Sequence, residues 1–243
     1  MAIWLTSDIH LGHDREFIWG ARGFKSIDEM NTAIINRWNS TVNEDDDIYV
    51  VGDLALGDKT NIDLIKQLKG KIHIVLGKHD TSSREKLYRQ LPNVVEVELA
   101  LRIKYNGYHF FLTHYPCMTG NLENESLKQM TLNLYGHTHQ TNNFYEDRPY
   151  IYHVGCDSHD CYPILLDSTI KEMNNKVNEC KSYLDIGEDE IAVYADKFNN
   201  IIENIAAEME KDPEIVKMLE ILNSLGNSES CGSNCSECGK YSD

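Results

Sequence analysis

The stretch Ala2-Ile3-Trp4-Leu5-Thr6-Ser7-Asp8-Ile9-His10 decides the fold. An apolar, β-rich run ends on an aspartate and a histidine, and the same arrangement returns four times. Ile48–Val51 leads into Gly52-Asp53, and Lys71–Leu76 into Gly77-Lys78-His79-Asp80. Tyr108–Thr113 closes on His114, and Thr131–Tyr135 leads into Gly136-His137-Thr138-His139. Runs of this length and composition read as buried strands. Polar residues at the carboxyl ends of buried strands share one rim of a sheet, where open α/β sheets carry their ligand sites. Histidines and aspartates scattered from residue 8 to residue 139 are therefore expected to meet in one pocket.

The residue types point to a metal. Imidazole and carboxylate together suit Mn, Fe, Ni or Zn better than Mg or Ca, which prefer oxygen alone. Asp8, His10, Asp53, His114, His137 and His139 are too many ligands for one tetrahedral ion with an open position. They are about right for two divalent ions sharing a bridging carboxylate. Two ions roughly 3.5–4 Å apart clamp the attacking and the leaving oxygen of an in-line displacement at phosphorus. A single D-x-H or H-x-H is more often a surface turn or a core histidine. Five such clusters in one order, each at a strand end, favour the metal reading.

The series D-I-H, G-D, G-K-H-D, H and G-H-T-H resembles the calcineurin-like metallophosphoesterases, whose motifs are D-x-H, G-D, G-N-H-[DE], H and G-H-x-H. The resemblance covers residues 1–167. The opening Ser7-Asp8-Ile9-His10-Leu11-Gly12-His13 is similar to the S-D-x-H-x-G-H of small bacterial and phage members. It implies hydrolysis of a phosphoester by a hydroxide held at a two-metal centre. Asp8, His10, Asp53 and His139 would hold the first ion. Asp53, His114 and His137 would hold the second, with Asp53 bridging, and His79 would protonate the leaving oxygen. His13 either faces substrate or takes a capping or core role.

One position departs from the pattern. Where the family carries Asn as a ligand of the second ion, this chain has Lys78. An amide oxygen coordinates a metal, whereas a protonated lysine offers only donors and a positive charge, which a nearby divalent ion repels. Three outcomes stay open. Lys78 weakens or replaces the second ion, leaving one metal; it swings away from a looser three-residue site; or it is a substitution introduced to silence the enzyme. It also motivates the alternative function, a phosphoesterase fold that binds a nucleotide or a protein partner without turnover.

Composition narrows the surroundings. The chain has 243 residues, 41% of them hydrophobic, and a formal charge of −16. Such an acidic surface argues against duplex nucleic acid, which is bound through basic phosphate contacts. Residues 168–243 hold 7 lysines and no arginine against 16 acidic residues, but the catalytic half also lacks a basic excess. A small phosphorylated substrate, a nucleotide or cyclic nucleotide, is the expected partner, with Arg22 a candidate phosphate contact beside Lys78. Phe17, Trp19, Tyr115, Phe144 and Tyr145 are available to stack on a base or to cover a core edge. No apolar run approaches the roughly 20 residues of a membrane span. Met1 leads straight into the first strand without a signal-like segment, and seven mostly scattered cysteines fit a reducing compartment. A cytoplasmic location follows.

The organisation expected is a two-sheet α/β sandwich over residues 1–167. Ser26-Ile27-Asp28-Glu29 is a capping box opening a helix; Asn61–Leu68 and Ser82–Leu91 are further helices. The runs around Val94–Tyr105, Tyr108–Thr113, Leu132–Tyr135 and Tyr150–Val154 are expected to form the second sheet, with Asn106-Gly107 a hairpin turn. Gly155–Asp160 is a ligand-rich loop that either touches the site or stays a polar loop. An acidic helical extension follows at 168–227, in segments Ser168–Tyr183, Glu188–Lys211 and Pro213–Leu225. Its apolar stripe (Ile191, Tyr194, Phe198, Ile201, Ile202, Ile205) either packs on the catalytic domain or its own hairpin, or forms a homodimer or partner surface. The tail, 228–243, is expected to be flexible. Its Cys231, Cys235 and Cys238 either stay free or join a fourth ligand such as Cys180 on a soft metal.

Overall fold

The computed structural model describes residues 1–57, 59–119 and 126–184, together with Lys217. Strand and helix alternate through the first half. From β1 (Ile3–Thr6) the chain passes through α1 (Glu16–Trp19) and α2 (Ile27–Thr41) to β2 (Asp47–Val51). A short α3 (Lys59–Asp63), continued by a 3₁₀ turn over Leu64–Gln67, returns it to β3 (Lys71–Val75), and α4 (Ser82–Tyr88) returns it to β4 (Val94–Glu98). The four strands pair in parallel, as crossovers through helices require. Ile48, Val50, Ile72 and Ile74 have no exposed surface, which is what a helix-covered parallel sheet demands of its strands.

The longest of these helices shows how sequence fixes position. The Ser26 hydroxyl accepts from the Glu29 N–H at 3.2 Å, while the Glu29 carboxylate reaches back to the Lys25 N–H at 2.7 Å. This is the expected capping box, with the return bond one residue earlier. Met30, Ile34 and Trp38 recur every four residues on one face of α2 and are buried in the core beside Ile48 and Ile72. The Trp38 indole donates to the Lys69 carbonyl at 2.8 Å. Truncating Trp38 to Ala would cost about 3–5 kcal/mol.

The second sheet is built from β5 (Leu101–Tyr105), β6 (Tyr108–Leu112), β7 (Thr131–Tyr135) and β8 (Ile151–His153), in that spatial order. β5 and β6 form an antiparallel hairpin whose turn residues Asn106 and Gly107 both have positive φ, 49° and 82°, the geometry that Asn-Gly favours. β6, β7 and β8 run in parallel. β9 (Ile164–Leu165) then pairs antiparallel with β1, giving the first sheet the order β4-β3-β2-β1-β9, and α5 (Leu166–Leu184) follows directly.

Two cores result: one between the first sheet and its helices, one holding Leu5, Val51 and Val75 against Phe110, Leu112, Leu132 and Leu134. Met173 of α5 is buried in the second.

One expectation is corrected. Val94–Tyr105 does not run as a single stretch into the second sheet. Val94–Glu98 is an edge strand on β3, and the chain changes sheets at Leu99-Ala100. Alternating half-buried residues mark a strand but not its partner, and an edge strand reads the same in either sheet.

The two sheets meet at one rim. Ser7 bridges in parallel to Gly155, and the Cys156 N–H donates to the Ser7 carbonyl at 3.0 Å. The ends of β1 and β8 are thereby tied together. The chain divides into two compact units, Met1–Lys181 and Ser182–Asp243. The helices expected at Glu188–Lys211 and Pro213–Leu225, and the thiols Cys231, Cys235 and Cys238, lie outside the described residues. Among the described residues, no helix is long and apolar enough to cross a membrane.

Candidate metal centre

Five of the six candidate ligands hold left-handed backbone: Asp8 (φ 53°), His10 (57°), Asp53 (52°), His137 (69°) and His139 (49°). Residues with a side chain seldom adopt this conformation, at a cost on the order of 1–3 kcal/mol each, and they do so where neighbours force it. The restraints are visible. The Asp8 N–H donates to Gly52 O and the His10 N–H to Asp53 O, both at 3.0 Å, and the Gly136 N–H donates to His114 O at 3.1 Å. Close approach explains the glycines in front of the ligands. A Cβ on Gly52 would strike the His114 ring, and one on Gly136 would strike the Ser7 hydroxyl and the Asp8 carboxylate.

The carboxylate oxygens are sorted. Asp8 Oδ2 accepts from the Ser7 hydroxyl and, at 2.8 Å, from the His137 N–H, while Oδ1 is buried without a hydrogen-bond partner. That oxygen lies 3.7 Å from His139 Nε2 and 4.0 Å from His10 Nε2. Asp53 Oδ1 accepts from the His79 N–H at 2.8 Å. Its Oδ2 lies 3.4 Å from His114 Nε2 and 4.0 Å from both His10 Nε2 and His79 Nε2. His114 Nδ1 sits 3.0 Å from the Val51 carbonyl, which can only accept, so Nδ1 carries the proton and Nε2 keeps its lone pair.

Two triads emerge, Asp8–His10–His139 and Asp8–Asp53–His114, each with donor atoms within 4.8 Å of one another. Their electrostatics suit a cation. Burial pushes the His10 imidazole down to about 2, so it is neutral, and burial raises the Asp8 carboxyl. Burial opposes the charged forms of Asp53 and His114 as well, yet their mutual attraction holds the Asp53 carboxyl near 2 and His114 above its usual value. Asp8 Oδ1 and His114 Nε2 are buried without a hydrogen-bond partner, and a positive ion between the triads would satisfy both. The nitrogen and oxygen donors fit borderline divalent metals.

His137 stands outside both triads. Its ring packs edge-on against His114 at 5.0 Å and Tyr115 at 4.6 Å. Lys78 is exposed, with no ion pair among the described residues, but its charge reaches that ring. After burial and the charge on His114, it helps push the His137 imidazole down.

An outer layer braces the ligands. His139 Nδ1 is 2.7 Å from Asp157 Oδ2, and Asp157 takes two further bonds from Arg22, from Nε at 2.8 Å and Nη2 at 3.1 Å. Arg22 also donates to the Asp8 and Ile9 carbonyls at 2.6 and 3.0 Å, so its guanidinium is committed to the backbone that positions Asp8. Despite burial, His139 and Arg22 hold the Asp157 carboxyl well below the ordinary range. On the other flank, Asp80 Oδ2 accepts from the Asp53 and Gly77 N–H groups at 2.9 and 2.8 Å, and Tyr88 donates to Asp80 Oδ1 at 2.8 Å. Sequence reasoning gave Asp80 no role and saw Asp157 only as part of a ligand-rich loop. A carboxylate just past a strand end was the available signal for each; Tyr88 offered none.

Two cavities flank the centre. One of about 390 Å³ is lined by His10, His13, Phe17, Ile18, Ala21, Arg22, His79, His139 and Asp157. The other, about 380 Å³, lies toward Gly77, Asp80, His114 and Tyr115. His13 and His79 face the first, with ring centres 6.0 Å apart.

A model of the calcineurin-like phosphoesterase superfamily domain matches residues 1–159. The chain is 29% identical over 181 residues to an uncharacterized protein of Methanocaldococcus jannaschii, covering 70% of this chain and 89% of that protein. It is 26% identical over 160 residues to the gene 66 protein of Mycobacterium phage L5, covering 56% and 76%. A solved structure of a protein of unknown function from Aquifex aeolicus matches with a TM-score of 0.52 at 22% identity, over 70% of this chain and 98% of that one, a likeness of fold alone. The strand ends that carry the candidate ligands all fall inside the matched segment, and the chain belongs to the calcineurin-like phosphoesterase superfamily.

Proposed function

We propose that this protein is a two-metal phosphodiesterase acting on a nucleotide or cyclic nucleotide. The observation that carries the reading is Asp53 Oδ2, one buried oxygen facing His10, His114 and His79 at 4.0, 3.4 and 4.0 Å. Asp8, His10, Asp53 and His139 would hold one ion, and Asp53, His114 and His137 the other. When bound, such ions make a water nucleophilic near neutral pH and neutralise charge on the phosphoryl oxygens.

The chain's own residues supply the rest. The His79 side chain is 42% exposed and opens on the cavity, so its imidazole can give a proton to a departing oxygen. The His79 backbone N–H donates to Asp53 Oδ1, which ties the loop carrying the proton donor to the proposed bridging carboxylate. Lys78, standing near His137, weakens the second ion while offering a positive charge to a phosphoryl oxygen. His13 lies within reach of substrate. Arg22 acts through Asp157 and Asp8 rather than on the phosphate. The same reading includes a cytoplasmic setting and a catalytic domain ending near 167; the stripe expected either to pack back or to pair two copies lies outside the described residues.

The second reading, a fold that binds without turnover, is favoured only by Lys78. A panel of cyclic, linear and capped nucleotides and phosphopeptides, assayed with Mn, Ni and Zn, separates them. Cleavage of a nucleotide diester supports the proposal, preference for a phosphopeptide reverses the substrate class, and binding without cleavage by both wild type and Lys78→Asn supports the second reading.

A further inference from the structure

We infer that the cavity walled by Phe17, Ile18 and Ala21 receives the leaving group, and that Phe17 selects a flat, uncharged one, a nucleoside or an aryl alcohol. The inference rests on the phosphoesterase reading above and assigns the direction in which the ester lies across the centre.

The two flanking cavities differ in what they share with the site. His79, the proton donor, lines the Phe17 cavity but not the opposite one, and His114 lines the opposite one but not this. A departing oxygen must leave within hydrogen-bond reach of its proton donor, so the leaving side is the Phe17 side. Its wall is apolar where a ligand would lie flat, with Phe17, Ile18 and Ala21 projecting from α1 and the turn after it.

Phe17 itself has no packing reason to be aromatic. It is 69% exposed, while its neighbour Ile18 is buried in the core. Among the described residues its ring contact is edge-on to His13 at 5.9 Å, and both residues line the cavity. A solvent-facing aromatic placed this way is a stacking platform that tolerates any base.

Charge sets the second half of the specificity. Among the described residues, the only lysine or arginine lining this cavity is Arg22, and its donors are spent on Asp157 and on the Asp8 and Ile9 carbonyls. A leaving group with a further phosphate would enter with its charge uncompensated beside the Asp157 carboxylate. An uncharged nucleoside would not.

The test is equilibrium binding of adenosine, the product side alone, to the Mn-loaded full chain and to its Phe17→Ala and Phe17→Trp variants. The same samples are assayed on bis(p-nitrophenyl) phosphate. Wild type should bind adenosine, Phe17→Ala should weaken it about tenfold and Phe17→Trp should restore it. Adenosine should inhibit diester cleavage competitively, and adenosine 5′-diphosphate should bind this side no better. Failure of wild type to bind adenosine, or equal affinity in Phe17→Ala, overturns the inference whether or not the diester is cleaved. Adenosine binding that depends on Phe17, in a protein that cleaves no ester with any metal, upholds the pocket and defeats the phosphoesterase reading instead.

Discussion

Replacing Asp157 with Asn should loosen the first metal position without altering any of its ligands. Asp157 holds His139 Nδ1 at 2.7 Å and so fixes which nitrogen faces Asp8 and His10. Loss of such an outer carboxylate lowers metal affinity about 10–100-fold, and the same order is expected here. The fold should weaken too. Arg22 is 5% exposed and would lose its counter-charge. Removing one partner of a buried pair costs about 3–5 kcal/mol. Asn keeps an acceptor for Arg22, and the Asp8 and Ile9 carbonyls keep theirs, so a loss of about 1–3 kcal/mol is expected. Arg22→Met, which leaves Asp157 charged and both carbonyls without a donor, should lose more stability than Asp157→Asn. The assay is Mn titration by calorimetry beside metal-free guanidinium unfolding. If Asp157→Asn binds Mn within twofold of wild type while losing stability, the pair is a structural brace and its link to the metal is refuted.

Three further outcomes follow from neighbouring parts of the structure. Lys78→Asn should tighten the weaker of two Mn sites at least about tenfold by removing a cation near His137; equal isotherms for both proteins would make Lys78 an innocent neighbour. Tyr88→Phe removes the donor to Asp80 Oδ1 in a fully buried setting and should cost about 1–3 kcal/mol in denaturant unfolding, with a cost below 0.5 kcal/mol counting against the brace. Asp46 accepts from the Ala2 and Asn43 N–H groups and from the Trp4 indole, which hold its carboxyl down at about 2. Its folded-state value lies below the unfolded one, so its contribution, on the order of 1–2 kcal/mol, is present above pH ~4 and lost as pH falls toward ~2. Unfolding of wild type and Asp46→Asn across pH 2–6 should show the two converging at the acid end; a constant gap would contradict the assignment.

The strand-end positions of Asp8, His10, Asp53, His114, His137 and His139 are legible because each follows directly on a run whose burial is visible in its composition, and a strand end fixes where the next residues point. Ser26–Glu29 and Asn106-Gly107 were legible for the same local reason. What could not be read depends on contacts between distant segments. Val94–Glu98 pairs with β3 rather than β5, a choice its alternating pattern does not encode. Arg22 meets Asp157 across 135 residues, and Tyr88 reaches Ala55 and Asp80 from a helix whose sequence carries no site motif. The sorting of the Asp8 and Asp53 oxygens depends on the left-handed backbone at both residues, which nothing in an Asp codon or its neighbours announces.

The most direct measurement is Mn binding and turnover of bis(p-nitrophenyl) phosphate by the wild type and Asp53→Asn, read on the same samples. Asp53 Oδ2 faces His10 at 4.0 Å and His114 at 3.4 Å, while Asp8 belongs to both triads. Loss of the Asp53 carboxylate should weaken Mn at both positions together and cut turnover on the order of a thousandfold, with the fold unchanged by circular dichroism. Asp53→Asn that binds Mn as tightly as wild type and cleaves the ester as fast would contradict the shared carboxylate, and with it the convergence of the five strand ends on one two-metal centre.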